Sequence, residues 1–235
     1  MKPFLLLIAL DSLADHEAVT LEIAERFSDV PGNFGFKVNL DYLLSREKGL
    51  KAVLEPIQQF GRPLFTDLKM CNGTRTMASV IESLVALKVD YLNVYALADE
   101  LLPEAIRVTG GTKTKVLGLT VLTHFNEAYC QKHFRRSLSG TVRHFAEVAV
   151  GAGCHGIILP GTALEAVADL NTIKAVPGVR PIWYKDTRHE EEVEPRVAVE
   201  RKADILVCGS PIMKSEDPVE ALRRILNELE DPKSR

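Results

Sequence analysis

Short apolar runs alternate with amphipathic stretches from one end of the chain to the other. The runs contain too few polar residues to leave one face in water, which is typical of parallel strands that helices cover on both faces. Between the runs, apolar residues recur at helical spacing, for example at Val80, Ile81 and Leu84. The predicted strands are residues 4–11, 34–39, 63–69, 90–96, 114–121, 154–160, 179–184 and 204–209.

This alternation predicts the fold class. Eight strand–helix units in 235 residues close most simply as an α/β protein of the (β/α)8 TIM-barrel type, with eight parallel strands and surrounding helices. An open, doubly wound sheet is the alternative, and the lack of a G-x-G-x-x-G motif after the first strand weakens it. We predict one barrel domain over residues 1–235, with a frayed charged tail at residues 230–235.

The composition favours a small soluble ligand. The chain has 29 Lys and Arg residues against 32 Asp and Glu residues, evenly mixed, and a formal net charge of −3. No long basic block is present to attract nucleic acid or an anionic membrane. The apolar residues 1–10 end in Asp11 without a small-residue cleavage site, which favours a buried strand over a signal peptide. No run reaches the roughly 18 apolar residues of a membrane span.

Cysteine and histidine positions argue against a metal site. Cys71, Cys130, Cys154 and Cys208 lie far apart and form no C-x-x-C pair. Such cysteines indicate free thiols in a reducing, cytoplasmic compartment rather than disulfides or zinc ligands. The six histidines do not pair with acids at strand ends, which disfavours a metal-dependent epimerase.

Charged residues gather where the first three predicted strands end. Asp11 closes the first strand, Lys37 and Asn39 lie near the end of the second, and Asp67 and Lys69 end the third. The two-residue period of a strand puts Asp67 and Lys69 on one face. Barrel enzymes carry their catalytic groups at these strand ends, so we interpret the cluster as catalytic. A salt-bridged plug at the rim is the alternative, although buried ion pairs are poor stabilisers.

Two loops near the end of the chain have the composition of a phosphate site. In barrels, the loops after strands seven and eight commonly bind phosphate through backbone N–H groups and a helix N-terminus. Here they read VPGVRP (176–181) and CGSPIMKSEDP (208–218). Gly178 and Gly209 permit close backbone approach, and Arg180 supplies a cation. Ordinary turns are the alternative interpretation.

Six short motifs occur in order over almost the whole chain. They are ALD (9–11), FKVN (36–39), DLKMCN (67–72), TVLT (120–123), PGVRP (177–181) and CGSPI (208–212). Together they resemble the orotidine 5'-phosphate decarboxylase family, of which the chain looks like a divergent member. The resemblance implies a homodimer with sites at the subunit interface. It also implies cofactor-free decarboxylation of orotidine 5'-monophosphate to uridine 5'-monophosphate in pyrimidine biosynthesis.

The resemblance implies a role for each charged residue. Lys69 matches the proton donor that quenches the carbanion left by CO2. Asp67 matches the acid beside the substrate carboxylate, and Lys37 matches a lysine that contacts the ribose. The other implied substrate-binding residues are Asp11, Thr76, Thr123 and His124. The implied phosphate-binding residues are Pro177, Gly178, Arg180, His189, Gly209 and Ser210.

Four positions depart from the family pattern. Asn72 replaces the last acid of D-x-K-x-x-D, so it offers a hydrogen-bond acceptor without a negative charge to the proton donor. Ser210 replaces an arginine that clamps phosphate, which predicts weaker phosphate binding. His124 replaces a serine that reads the pyrimidine, and His189 replaces a glutamine when the alignment is anchored at Pro195. These departures leave the barrel pattern intact but not the exact substrate.

Three functions therefore stay open. The first is decarboxylation of orotidine 5'-monophosphate. The second is an enzyme for another phosphorylated substrate, because Asn72-Gly73 is similar to the D-A-G ending in barrel decarboxylases and aldolases of sugar phosphates; Lys37 counts against it, since those relatives carry an acid there. The third is a nucleotide- or partner-binding barrel without catalysis. The polar segment from Trp183 to Glu194 is predicted to close over the ligand.

Overall fold

The computed structural model describes residues 3–44, 49–184 and 192–230, and within them eight parallel strands form a closed barrel. The strands are β1 (Leu5–Ala9), β2 (Phe34–Asn39), β3 (Leu64–Met70), β4 (Tyr91–Tyr95), β5 (Lys115–Leu119), β6 (Gly156–Ile158), β7 (Ile173–Pro177) and β8 (Ile205–Cys208). Each strand pairs with the next, and β8 pairs with β1. The predicted (β/α)8 barrel is confirmed.

Helices surround the barrel, and the amphipathic stretches of the sequence form them. Ser137 begins one of the longest helices by accepting a hydrogen bond from the Gly140 N–H, as an N-cap serine does. Short 3₁₀ helices lie at Asp99–Leu101 and Gly161–Val167. The α-helices are α1 (Glu17–Arg26), α2 (Leu40–Leu44), α3 (Gly49–Gln58), α4 (Thr74–Ala86), α5 (Leu102–Thr109), α6 (Glu127–Phe134), α7 (Leu138–Gly151), α8 (Pro195–Glu200), α9 (Ser210–Met213) and α10 (Pro218–Glu230).

The seventh strand lies earlier in the chain than the pattern predicts. The prediction of a strand at residues 179–184 is wrong, because β7 covers Ile173–Pro177. Lys174 interrupts the apolar pattern of β7, yet its buried Nζ donates to a backbone carbonyl at 2.6 Å. The apolar run after β7 is a loop that docks on α10, where the Trp183 indole donates to a carboxylate at 2.9 Å. The loop that begins at Gly178 therefore follows β7 directly.

Two apolar layers build the core. A large outer layer lies between the strands and the helices. A smaller inner layer fills the floor of the barrel, so the barrel is packed rather than open from end to end. The inner layer consists of Leu5, Leu7, Ala9, Phe65, Leu117, Leu119, Ile158, Ala175, Ile205 and Val207. Polar side chains lie above this floor, in the mouth of the barrel at the C-terminal ends of the strands.

Other sequence predictions can be placed on the fold. The four cysteines are free thiols, as predicted, and Cys71 is the exposed one among them. None of the described helices has the length and apolar character needed to cross a membrane. Within the described ranges, no group of three His, Cys, Asp or Glu side chains is arranged to hold a metal ion. Glu230 ends α10, and the rest of the predicted tail lies outside the described residues.

The contact between β5 and α7 gives a test of the packing. A Cβ added at Gly118 would lie 2.4 Å from the Ala149 Cβ, so Gly118→Ala should push α7 outward. Overpacking of this kind costs about 1–3 kcal/mol, which urea unfolding would measure as a lower free energy of unfolding. Gly151→Ala is the matched control, because its Cβ meets nothing within 4 Å. Equal stability of the two variants would contradict the packing described here.

Candidate active site

The C-terminal ends of the strands surround a cavity of about 290 Å³. Its size suits a small-molecule site with an apolar floor and a few convergent polar groups. Phe65, Leu119 and Ile158 contribute to the floor. One wall carries the charged ends of β1 to β3 together with β4, and the facing wall carries the loops after β5, β7 and β8.

Asp67 lies between two ammonium groups in this cavity. The Lys69 Nζ is 2.7 Å from Asp67 Oδ2, and the Lys37 Nζ is 3.4 Å from the same oxygen. Lys37 also lies 3.1 Å from Asp11 Oδ1. The side chains of Lys37 and Asp67 are 9% and 12% exposed, whereas that of Lys69 is 41% exposed. The predicted cluster of two carboxylates and two ammonium groups is therefore present at one mouth.

The parallel register explains why these groups meet. Lys37 pairs with Ala9 of β1, and Asn39 pairs with Asp67 of β3. Residues at the ends of neighbouring parallel strands therefore reach the same height of the barrel. Lys69 remains on the cavity side with Asp67, as the period of two predicts, although its backbone φ of 48° leaves the strand region.

The Asp67 carboxyl is ionised at neutral pH. Burial raises its pKa, but the Lys37 and Lys69 charges and the hydrogen bonds from Lys69 and Asn93 lower it by more, so that the pKa lies below its ordinary value of 3.8. The site thus holds a fixed negative charge beside the Lys69 ammonium group.

Two asparagines complete the charged wall. The sequence places Asn39 in the strand-end cluster without a chemical role of its own, and it does not single out Asn93. Asn39 donates from its amide nitrogen to Asp11 Oδ1 at 3.0 Å, and its carbonyl oxygen accepts from Lys37. Asn93 of β4 is 1% exposed and donates to Asp67 Oδ1 at 2.7 Å. A lone asparagine inside the apolar strand YLNVY was the available signal for Asn93, because a buried amide requires partners.

The facing wall contains the residues predicted to bind base and phosphate. Thr123 and His124 line the cavity after β5. The predicted phosphate-binding residues in this wall are Pro177, Gly178, Arg180, Gly209 and Ser210. Gly209 stands close to the charged wall, since a Cβ there would lie 3.0 Å from Asp11 Oδ2. The first and last strands therefore bring the predicted ribose and phosphate sites next to each other.

Arg180 is a buried cation that already has an acidic partner. Its side chain is 7% exposed, and its Nε lies 3.1 Å from the Glu192 Oε1. Its guanidinium carbon lies 5.5 Å from the centre of the Tyr184 ring. A phosphate group that reaches Arg180 must therefore share this guanidinium group with a carboxylate.

Two predicted site residues stand apart from the cavity, and a third lies outside the described part of the chain. Asn72 and Thr76 are exposed around the start of α4 and do not line the cavity of their own chain. The Asn72 side-chain oxygen accepts from the Gly73 N–H at 2.7 Å. His189 lies outside the described residues, as does much of the predicted closing segment from Trp183 to Glu194. The functions of these residues stay predictions.

The closed barrel defines a (β/α)8 protein. Its candidate site is the cavity at the C-terminal mouth, between the charged strand ends and the glycine-containing loops after β7 and β8. Residues 5–225 match the sequence pattern of the orotidine 5'-phosphate decarboxylase / HUMPS family. The chain belongs to this family.

Similar proteins extend over nearly the whole chain. The orotidine 5'-phosphate decarboxylase of Dictyoglomus turgidum is 31% identical, with 98% of this chain and 97% of the relative covered. That of Paramagnetospirillum magneticum is 30% identical, with 94% and 97% covered. The crystal structure of orotidine 5'-phosphate decarboxylase from Lactobacillus acidophilus has a TM-score of 0.78 at 23% identity, with 98% and 100% covered. This last similarity supports the fold, and the two relatives are carboxy-lyases by name.

The lowered pKa of Asp67 predicts a pH dependence of stability. A carboxyl whose pKa is lower in the folded than in the unfolded state adds stability above the unfolded pKa, near 3.8, and this stability is lost as the pH falls through the folded pKa. Urea unfolding from about pH 6 down to about pH 2, a range that includes the onset of this loss below the unfolded pKa, should therefore show a steeper decline for the wild type than for Asp67→Asn. Glu25→Gln, which removes an exposed carboxylate on α1, serves as the control. Parallel curves for wild type and Asp67→Asn would refute the prediction.

Proposed function

We propose that the protein is a carboxy-lyase that converts orotidine 5'-monophosphate to uridine 5'-monophosphate without a cofactor, with Lys69 as proton donor. The observation that carries the proposal is the array of Lys37, Asp67 and Lys69 over an apolar floor. Membership of the family and the names of the relatives support the same reaction. Free thiols support a cytoplasmic location, where pyrimidine biosynthesis would use this product.

The chemistry requires a cation and a proton at one carbon atom. The bond between C6 of the pyrimidine and the carboxylate breaks, CO2 leaves, and the electron pair remains on C6. The Lys69 ammonium group stabilises this charge and then transfers a proton to C6, which forms the new C–H bond. Lys69 is suited to this role because its side chain is 41% exposed to the cavity and still held 2.7 Å from Asp67. The resulting amine takes its proton back from solvent.

Asp67 acts on the substrate carboxylate in this proposal. An ionised carboxylate beside the departing group repels it, and the repulsion disappears as CO2 leaves. Asp67 is kept ionised by Lys37 and Lys69 although it is largely buried. Lys37 therefore has two functions, since it holds Asp67 charged and offers an N–H donor toward the ribose beside Asp11.

The remaining parts of the nucleotide are assigned by position. Asp11 and Lys37 lie where the ribose hydroxyls would bind, and Thr123 with His124 lies where the pyrimidine edge would bind. The phosphate would contact Gly178 and the segment that begins at Gly209.

A homodimer completes the proposal. Asn72 and Thr76 are exposed and stand outside the cavity of their own chain. The exposed segment at the start of α4 is therefore available to a second subunit, whose cavity it would complete in the way that the family pattern implies.

One observation favours a second candidate function. The Arg180 guanidinium is already paired with Glu192, and Ser210 stands where the family pattern has an arginine, so less positive charge is available to a phosphate. The uncharged Asn72 stands where the family pattern has an acid, so less negative charge is available to Lys69. A weak nucleotide-binding homologue, or an enzyme for another phosphorylated substrate, would be compatible with this arrangement. The two assays below separate these functions.

Loss of orotidine 5'-monophosphate, followed by ultraviolet absorbance, tests the reaction. We expect turnover by the wild type and a fall of about 10³-fold or more in Lys69→Ala, because both charge stabilisation and proton transfer are lost. Lys51→Ala removes an exposed lysine of α3 and should keep wild-type activity. No Lys69-dependent loss at high enzyme and substrate concentration would refute the decarboxylase proposal.

Calorimetric binding of uridine 5'-monophosphate tests the phosphate site. Ser210→Arg should tighten binding by roughly tenfold, because a hydrogen bond to a charged group is worth about 1.5–3 kcal/mol. Ser210→Gln controls for side-chain size, and uridine controls for the phosphate itself. Unchanged or weaker affinity in Ser210→Arg would show that the phosphate is held elsewhere.

A further inference from the structure

Asn93 uses every polar atom of its buried side chain on the strand that carries Asp67 and Lys69. Its amide nitrogen donates to Asp67 Oδ1 at 2.7 Å. Its carbonyl oxygen accepts from the Leu68 N–H at 3.0 Å and from the Lys69 N–H at 2.8 Å. The residue belongs to β4, so each of these bonds crosses from one strand to the next.

The bonds fall where the ladder between β3 and β4 is interrupted. Thr66 pairs with Leu92 and Met70 pairs with Val94, so four residue steps on β3 oppose two on β4. Lys69 lies inside this bulge with φ at 48°, in the left-handed region that residues with a Cβ seldom adopt. A bulge leaves backbone N–H groups without ladder partners. The Asn93 carbonyl oxygen supplies the missing acceptor for two of them.

We infer that Asn93 is a positioning residue, which holds the bulge at Lys69 in place and fixes the orientation of Asp67 relative to Lys69. This inference deepens the function proposed above and rests on it for its catalytic consequence. The hydrogen bonds of Asn93 themselves do not depend on which reaction the protein catalyses.

The orientation of the amide follows from its partners. Two backbone N–H groups require an acceptor and an ionised carboxylate requires a donor, so the oxygen of Asn93 faces the bulge and its nitrogen faces Asp67. Asp67 Oδ1 is then taken by Asn93, while Oδ2 receives Lys69 and Lys37. Both oxygens of the Asp67 carboxylate are fixed in this way. An alanine or leucine at position 93 could neither donate to Asp67 nor accept from the two N–H groups of the bulge.

The experiment separates positioning from ordinary burial of a polar side chain. Carbon-13 NMR titration of the Asp67 carboxyl is measured in wild type and in Asn93→Ala, together with kcat, KM and calorimetric binding of uridine 5'-monophosphate. Thr114→Val is the matched control. Thr114 is also buried, and from its place just before β5 its hydroxyl donates to the Val89 carbonyl, just before β4, at 2.7 Å, but it does not line the cavity.

The readout has to account for every charge that faces Asp67. Lys37 approaches from β2 and Lys69 from β3. Burial, together with the nearby Asp67 charge, raises the pKa of the Tyr95 hydroxyl on β4. Asp11 affects the Asp67 carboxylate indirectly, because it pairs with Lys37. Asn93→Ala leaves all of these charged residues in the chain and removes both the donor to Asp67 and the acceptor for the two N–H groups of the bulge. A change in the Asp67 titration therefore reports the missing amide and any movement of Lys69 that follows.

We expect the pKa of Asp67 to rise in Asn93→Ala and kcat to fall by roughly 10²-fold, as a displaced catalytic group does, with little change in binding of uridine 5'-monophosphate. Thr114→Val should lose stability without either change. An unaltered Asp67 titration in folded Asn93→Ala would overturn the inference. The titration needs no turnover, so it decides the matter even when orotidine 5'-monophosphate proves not to be the substrate.

A second variant covers a failure of Asn93→Ala to fold. Asn93→Asp has the same shape and keeps an acceptor for the two N–H groups of the bulge, but it replaces the donor with a carboxyl group. It should raise the pKa of Asp67, because a like charge then adjoins it. An Asp67 titration equal to that of the wild type in Asn93→Asp would overturn the inference in the same way.

Discussion

The ionised, largely buried Asp67 carboxylate sets the requirements that the rest of the site meets. Removing a charge from water is costly unless opposite charges and hydrogen-bond donors replace the solvent. Here Lys37 and Lys69 supply the charges and Asn93 supplies a neutral donor. These groups come from β2, β3 and β4, so the charge can be held only while the strands keep their register. The charged wall therefore depends on the whole barrel rather than on any one segment.

The two walls of the cavity differ in how firmly they are built. The charged wall lies on strands and is connected side chain to side chain from Asp11 to Asn93. The facing wall lies on loops, and its buried cation, Arg180, is engaged by Glu192. The part of the site that is proposed to transfer a proton is therefore preorganised, which would favour electrostatic catalysis. The part that is proposed to bind the base and the phosphate depends on loops.

Sequence patterns predict the fold and the charged wall, because both depend on short-range periodicity. Alternation along β3 placed Asp67 and Lys69 together, and strand order placed Lys37 beside them. The seventh strand was misplaced because the more apolar run serves a loop that packs on α10, while β7 contains the buried Lys174. The role of Asn93 depends on a bulge in the neighbouring strand, and no period of two reveals a break in another strand. The Arg180–Glu192 pair likewise arises from a loop conformation.

The pairing of the first strand with the last has a consequence for how the protein matures. Leu5 pairs with Ile205, so the ring closes only when residues 200 positions apart in the chain have met. Contacts of such long sequence separation form late and slowly. The Asp11 and Gly209 sides of the cavity lie on the two sides of this seam. A growing chain on the ribosome therefore has no complete cavity until its eighth strand has been made, and nucleotide binding would report the finished barrel rather than any partly folded form.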